Sequence, residues 1–175
     1  MQSRKLMFAV AALGFACASV ACAQGNRPSP AGTADVTLKG KQITIAYSRP
    51  SMRGRKIMGA LVPYGEVWRT GANEATTLTT PVDLTIGDTI VPAGKYTLWT
   101  LPSEGTWKLI INKQTGQWGT EYHQDQDLAR VDMQKSKTSQ PVEQFTISWN
   151  KKGNETADLV LEWENTRVWV TVKAK

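Results

Sequence analysis

The chain has 175 residues, a formal net charge of +6 and two cysteines, Cys17 and Cys22. This length favours about one domain, and the absence of cysteine after position 22 excludes disulfide-stapled scaffolds and cysteine-based zinc sites in that domain. A single histidine, His123, excludes multi-histidine metal centres such as those of the HExxH zinc proteases.

The first residues have the features of a secretory signal peptide. Arg4 and Lys5 precede an uncharged apolar run from Leu6 to Val20, which is short for a membrane span. Small residues at 21–23 predict cleavage before Gln24, so residues 1–23 are the predicted leader. The net charge then falls from +6 to +4, because Arg4 and Lys5 leave with the leader.

The leader predicts an exported protein, either periplasmic or extracellular. Acylation of Cys22 is the alternative, although Ser19 stands where a lipoprotein signal favours a Leu-like residue. Proline and glycine are frequent just after the leader, so residues 24–34 are predicted to be a flexible linker. No transmembrane span is expected in the mature chain.

Most of the remaining sequence alternates apolar and polar residues with the period of a half-buried β-strand. Gly94–Leu101 is a further predicted strand, and helical turns are expected only at Gly59–Tyr64 and Asp125–Arg130. Turn clusters, among them Glu164–Thr166, separate the strands. The alternating apolar positions are Ile43, Ile45 and Tyr47; Val82, Leu84 and Ile86; Trp107, Leu109 and Ile111; Phe145, Ile147 and Trp149; Leu159, Leu161 and Trp163; and Val168, Val170 and Val172.

These patterns predict an all-β fold, an antiparallel β-sandwich or flattened barrel that forms a single domain over residues 35–175. Residues 49–73 lack the alternation and are predicted to form one long irregular loop. Because functional residues concentrate on loops that a rigid scaffold positions, this segment is the first place to look for a site.

Basic residues are dense in this loop. Arg49, Arg53, Arg55 and Lys56 lie within eight positions, and arginine can bind phosphate or carboxylate groups through two parallel hydrogen bonds. The run therefore predicts contact with an anionic ligand or an anionic glycan, and the alternative is a solvated loop with surplus charge.

A second group of candidates surrounds a glycine-containing bend. Arg69, Asn73 and Glu74 lie on this bend before a strand. A carboxylate held by a guanidinium is able to act as a base or to bind a hydroxyl group, with Asn73 fixing its orientation. The structural alternative is a buried Arg69–Glu74 ion pair that stabilises an irregular loop.

Aromatic residues mark a third group. Trp118 and Tyr122 are of a type that stacks on a sugar or another flat ligand, and His123 beside Asp125 suggests proton transfer. A calcium site falls short of the required oxygen ligands, and the simplest alternative is a hairpin loop that caps the sandwich. Trp169 is out of phase with its strand and is a groove candidate, whereas the similarly placed Trp99 fits either a groove or a second packed layer.

Several long motifs resemble a bacterial domain-of-unknown-function family, the one numbered 2911. The resemblance covers about residues 35–175 and implies an exported, mostly β protein without established activity, so it assigns no catalytic residue. The motifs that carry it are Ser48-Arg49-Pro50, Tyr64 to Thr76, Pro92 to Thr100, Trp107 to Lys113 and Gln117 to Thr120.

Two classes of function remain. The first is a non-catalytic exported module that binds an anionic or glycan ligand, or an envelope partner. The alternative is a small hydrolase or lyase that uses Glu74 with Arg69 and His123. A nucleophile elbow, a phosphate-binding loop and a dinucleotide fingerprint are absent from the sequence, and neither a cofactor, a metal nor a nucleic-acid partner is expected.

Overall fold

The structure is a computed structural model that describes residues 28–175. The predicted leader, its cleavage site and the start of the linker lie outside these residues. The described part contains nine strands and a single turn of 3-10 helix, Gln124–Gln126. The strands are β1 Ala31–Leu38, β2 Lys41–Ser48, β3 Thr77–Thr80, β4 Leu84–Ile86, β5 Thr89–Val91, β6 Gly94–Leu101, β7 Trp107–Asn112, β8 Asp127–Lys151 and β9 Thr156–Ala174.

All neighbouring strands are antiparallel, in the order β1-β2-β3-β6-β7-β8-β9-β4-β5. The long strand β8 belongs to both halves of this sheet. Its first residues, Asp127–Met133, pair with β7, and the rest of the strand pairs with β9. The open sheet can therefore fold over on itself, and the predicted antiparallel β-sandwich or flattened barrel is confirmed.

The core lies between the two layers and is built from the alternating positions. Ile43, Ile45, Leu109, Ile111 and Val172 have no exposed surface, as the period of two predicts. A second, smaller core lies on the outer face of β6 and β7, where Trp99 packs with Ala75 and Ile110. Trp99 therefore belongs to a second layer, which was one of its two predicted placements.

Four segments differ from the sequence predictions. Strand β1 begins at Ala31, so the last part of the predicted linker is a strand that pairs with β2. Glu164–Thr166, predicted as a turn, lies within β9, where Glu164 takes a positive φ of 53°. Asp125–Arg130 is mostly strand β8, because Ala129 and Arg130 pair with β7, and Gly59–Tyr64 contains turns in place of a helix.

Pairing between β8 and β9 is interrupted around Pro141. The register shifts between Lys137 and Val142 and again between Val142 and Thr146, as expected where a proline cannot donate a ladder hydrogen bond. The exposed backbone of β8 pairs instead with the long loop: Met52 donates to Glu143 O at 2.8 Å, and Phe145 donates to Pro50 O at 2.8 Å. This pairing anchors the predicted irregular segment to the sandwich. Within residues 28–175, no helix is long and apolar enough to cross a membrane.

Candidate functional site

The basic loop splits into a structural part and an open part. Arg49 is half-buried and donates from Nε to Phe145 O at 3.3 Å and from a terminal nitrogen to Thr146 Oγ1 at 3.0 Å. Its guanidinium therefore ties the loop to β8. Arg53 and Arg55 are both exposed and lie further along the same loop.

A tight turn follows these arginines and projects a leucine into solvent. Val62 donates to Ile57 O at 2.9 Å and Gly59 donates to Val62 O at 2.9 Å. The Glu164 carboxylate accepts hydrogen bonds from the backbone N–H groups of Ile57 and Met58 at 3.2 and 3.1 Å. With the turn fixed in this way, Leu61 is left 47% exposed.

A cleft of about 280 Å³ lies between the basic loop, this turn and the bend that follows Trp68. We name it the arginine cleft. Three guanidinium side chains contribute to it, and the lining residues within 28–175 include no carboxylate. The lining consists of Pro28, Ser29, Pro50, Ser51, Arg53, Arg55, Leu61, Val62, Trp68, Arg69, Ala72 and Trp163.

Aromatic packing supports one wall of the arginine cleft. The Trp68 ring stacks on Trp163 with centroids 5.7 Å apart and an interplanar angle of 18°, and it meets Phe145 edge-on at 4.9 Å. Trp163 is 2% exposed and donates its indole N–H to Glu143 O at 3.2 Å. The backbone of Trp68 exchanges hydrogen bonds with Thr100 of β6 at 2.8 and 2.9 Å. Contacts of its ring and hydrogen bonds of its backbone therefore both fix the position of Trp68.

The three cleft arginines differ in how many donors they use within the protein. Arg55 donates to Met52 O and Ser51 O at 2.9 and 2.7 Å, and Arg53 donates to Pro28 O at 2.9 Å. Neither a hydrogen bond nor an ion pair is seen for the Arg69 side chain within the described residues. Because a guanidinium carries five N–H donors, most of the donor capacity of the cleft is available to a ligand.

At Gly119, the segment that contains Trp118 lies directly against the bend. Gly119 donates to Asn73 O at 2.9 Å, and a Cβ atom on Gly119 would lie 2.6 Å from both that oxygen and Arg69 Cδ. Asn73 takes a positive φ of 58° and donates through its amide to Ser29 O and Ser48 Oγ at 3.1 and 3.2 Å. Asn73 therefore fixes the bend.

Glu74 faces a different surface from Arg69. It is exposed, takes part in an interaction of its own and forms an isolated bridge with Trp118. It lines an outer groove of about 450 Å³ with Ala31, Thr33, Ala46 and Thr77. The ion pairs among residues 28–175 do not include one between Arg69 and Glu74. Because Glu74 is exposed, the structural alternative of a buried Arg69–Glu74 pair is wrong.

Tyr122 is committed to packing and hydrogen bonding. Its ring lies 5.1 Å from that of Trp99, its hydroxyl donates to Asp127 Oδ2 at 2.7 Å, and it accepts from Arg130 at 2.8 Å. Burial and the bond to Asp127 raise the pKa of Tyr122 to about 12, against a smaller opposing effect of Arg130. These contacts attach the loop to β6 and β8.

We expect the stability contribution of Tyr122 to disappear in alkaline solution. Its pKa in the folded protein is about 12 and its unfolded value is about 10, so the neutral phenol favours the folded state. That contribution is complete below pH 10 and is lost as the pH rises toward 12. In urea unfolding at pH 9 and pH 11, the stability difference between wild type and Tyr122→Phe should therefore narrow. A difference that stays constant over this range would contradict the assignment.

The remaining residues of this loop take separate positions. Trp118 is 44% exposed. His123 is exposed, and its backbone oxygen accepts hydrogen bonds from Asn112 and Gln126 at 2.8 and 3.1 Å. The described residues contain no group of three or more His, Cys, Asp or Glu side chains placed to hold a metal ion.

The structure thus joins some predicted site residues and separates others. Arg53 and Arg55 from the basic run share a cleft with Arg69 from the bend, whereas Trp169 is half-buried in β9 opposite Gln134 and does not line that cleft. Sequence reasoning missed Leu61, Trp68 and Trp163 as cleft residues. Trp68 directly precedes the candidate Arg69, and this adjacency is the one feature of the sequence that could have indicated a cleft residue.

Comparison with known proteins places the chain in a family. The model of the family described as Protein of unknown function (DUF2911) matches residues 29–172. Searches of curated proteins and of solved structures find no match. Because the match spans nearly all of the β-domain, the chain belongs to the DUF2911 family.

Proposed function

We propose that this domain is a non-catalytic binding module that takes an anionic ligand in the arginine cleft. The observation that carries the proposal is the convergence of Arg53, Arg55 and Arg69 on one concave surface whose lining, within residues 28–175, has no acidic side chain. Guanidinium groups pair with phosphate and carboxylate oxygens in a forked geometry. In the exported location that the leader predicts, the ligand is an anion of the cell envelope or its surroundings, or the acidic part of a glycan or partner.

The distribution of donors supports this proposal. Arg55 is held by two backbone oxygens and Arg53 by one, so both side chains are oriented before a ligand arrives. Such preorganisation lowers the entropy that binding costs. Arg69 is half-buried against Gly119, and its donors complete the set.

The hydrolase or lyase hypothesis has less support. It requires Glu74, Arg69 and His123 to meet around one substrate. Arg69 lines the arginine cleft and Glu74 lines the outer groove, and His123 belongs to the lining of neither cavity. Because neither cavity brings Glu74 and His123 together, the binding module is the function that this geometry favours.

The proposal predicts the loss of anion binding in Arg53→Gln/Arg69→Gln. At low ionic strength, inorganic phosphate should raise the melting temperature of wild type, because a ligand that binds only the folded state stabilises it. The double variant should show little or none of this shift. Raising the salt to about 1 M, where the Debye length is about 3 Å, should also remove most of the shift in wild type.

Lys41→Ala/Lys95→Ala is the matched control, because it removes the same amount of charge from exposed positions. Lys41 lies at the end of β2 opposite Ser48, and Lys95 lies near the start of β6, away from Thr100, which bonds to Trp68 of the cleft. This variant should keep the phosphate shift. An equal loss in both double variants would mean that only the overall charge matters, and an unchanged shift in the cleft variant would refute the site.

A further inference from the structure

The arginine cleft has an apolar wall that anion binding alone does not explain. Besides the guanidinium groups, its lining includes Leu61, Val62, Trp68, Ala72 and Pro50. Leu61 is among the few large apolar side chains of residues 28–175 that remain exposed, at 47%. The turn that presents it is fixed by the Glu164 carboxylate and by its own backbone hydrogen bonds, so this exposure is built into the fold.

The size of the cleft limits what fits there. Its volume of about 280 Å³ lies just below the range of about 300 to 1,000 Å³ typical of small-molecule pockets. It corresponds to about nine water molecules at about 30 Å³ each. A lone phosphate or carboxylate group therefore leaves most of the cleft to water.

Polar and apolar parts of the lining suit the two ends of an amphiphilic molecule. Arg53, Arg55 and Arg69 supply donors for an anionic group, and the partly buried Trp68 beside Leu61 supplies apolar surface for a flat or aliphatic body. Apolar surface removed from water contributes about 25 cal/mol per Å². A ligand with both parts therefore gains binding free energy from the guanidinium groups and from the apolar wall.

We propose that the arginine cleft selects small organic anions, in which a phosphate or carboxylate group is attached to a single aromatic ring or a short aliphatic chain. This inference rests on the proposed anion-binding function and specifies the chemistry of its ligand. The anionic group binds the guanidinium side of the cleft, and the apolar body packs against Trp68 and Leu61.

The test compares phenyl phosphate, benzoate, inorganic phosphate and phenol by calorimetric titration at low ionic strength. Phenyl phosphate should bind about tenfold more tightly than inorganic phosphate, which corresponds to burial of a small part of the ring. Phenol should bind more weakly than phenyl phosphate because it lacks the charge. Comparison of benzoate with phenyl phosphate identifies which anionic group the cleft prefers.

Leu61→Ser should abolish the tenfold preference for phenyl phosphate over inorganic phosphate. Ile90→Ser is the matched control, because Ile90 is 55% exposed on the short strand β5 and does not line the cleft. Equal affinities of wild type for phenyl phosphate and inorganic phosphate would overturn this inference while leaving anion binding intact. Retention of the preference in Leu61→Ser would overturn it as well. If neither anion binds, the proposed function itself fails.

Discussion

Trp163→Ala should lower the free energy of unfolding by about 3 to 5 kcal/mol, the usual cost of truncating a large buried aromatic side chain. Trp163 is 2% exposed and contacts both Trp68 and Phe145. Its removal leaves a cavity beneath the cleft and withdraws one of the two donors to Glu143 O. Urea unfolding followed by circular dichroism measures the loss.

Trp118→Ala is the control for this prediction. Trp118 is 44% exposed, and exposed substitutions usually change stability by about 0.5 kcal/mol or less. We therefore expect its midpoint in urea to stay close to that of wild type. If Trp118→Ala and Trp163→Ala lost similar stability, the Trp68–Trp163–Phe145 cluster would not be the support of the cleft that we describe.

Gly71→Ala, at the glycine of the bend, should strongly destabilise the fold. Gly71 has a φ of 151°, and a Cβ atom there would lie 2.9 Å from Ser48 O and 3.1 Å from Thr76 Oγ1. Backbone strain of this kind costs about 1 to 3 kcal/mol, and overpacking adds about 1 to 3 kcal/mol. We expect a combined loss of about 2 to 6 kcal/mol in urea unfolding.

Two other glycines separate the causes of this loss. Gly116 has a φ of 84° but nothing within 4 Å of its Cβ position, and Gly153 has neither a positive φ nor a close neighbour. Gly116→Ala should therefore report the backbone strain alone, and Gly153→Ala should have almost no effect. If Gly71→Ala is as stable as Gly116→Ala, the close approach of the new Cβ atom to Ser48 O does not affect stability.

The strands were predictable because their signal is local. Ile43, Ile45 and Tyr47 alternate as a half-buried strand requires, and they are buried in β2. Boundaries set by distant partners were not predictable. Ala31 joins β1 because Ser48 pairs with it, and the positive φ of Glu164 lets β9 continue through three residues that read as a turn.

The candidate site was predictable only in part. The basic run and the bend were each identified from composition, but their union in one cleft depends on the loop pairing with β8 near Pro141, which is about 90 positions away in the chain. The same pairing places the Arg49 guanidinium where it ties the loop to β8, although Arg49 and Arg53 have the same chemistry. Trp163 was assigned to the core by alternation, and that period does not indicate which core residues border a cavity.

The most direct test of the arginine cleft is a two-dimensional ¹H–¹⁵N NMR titration of the wild-type domain with inorganic phosphate at low ionic strength. We predict that the largest chemical-shift changes will be at the Trp68 indole and at the backbone amides of Arg53, Arg55 and Arg69. Trp118 and Trp169, which do not line the cleft, should shift little. Changes spread evenly over the lysines and arginines, or centred on Trp118, would contradict the proposed site.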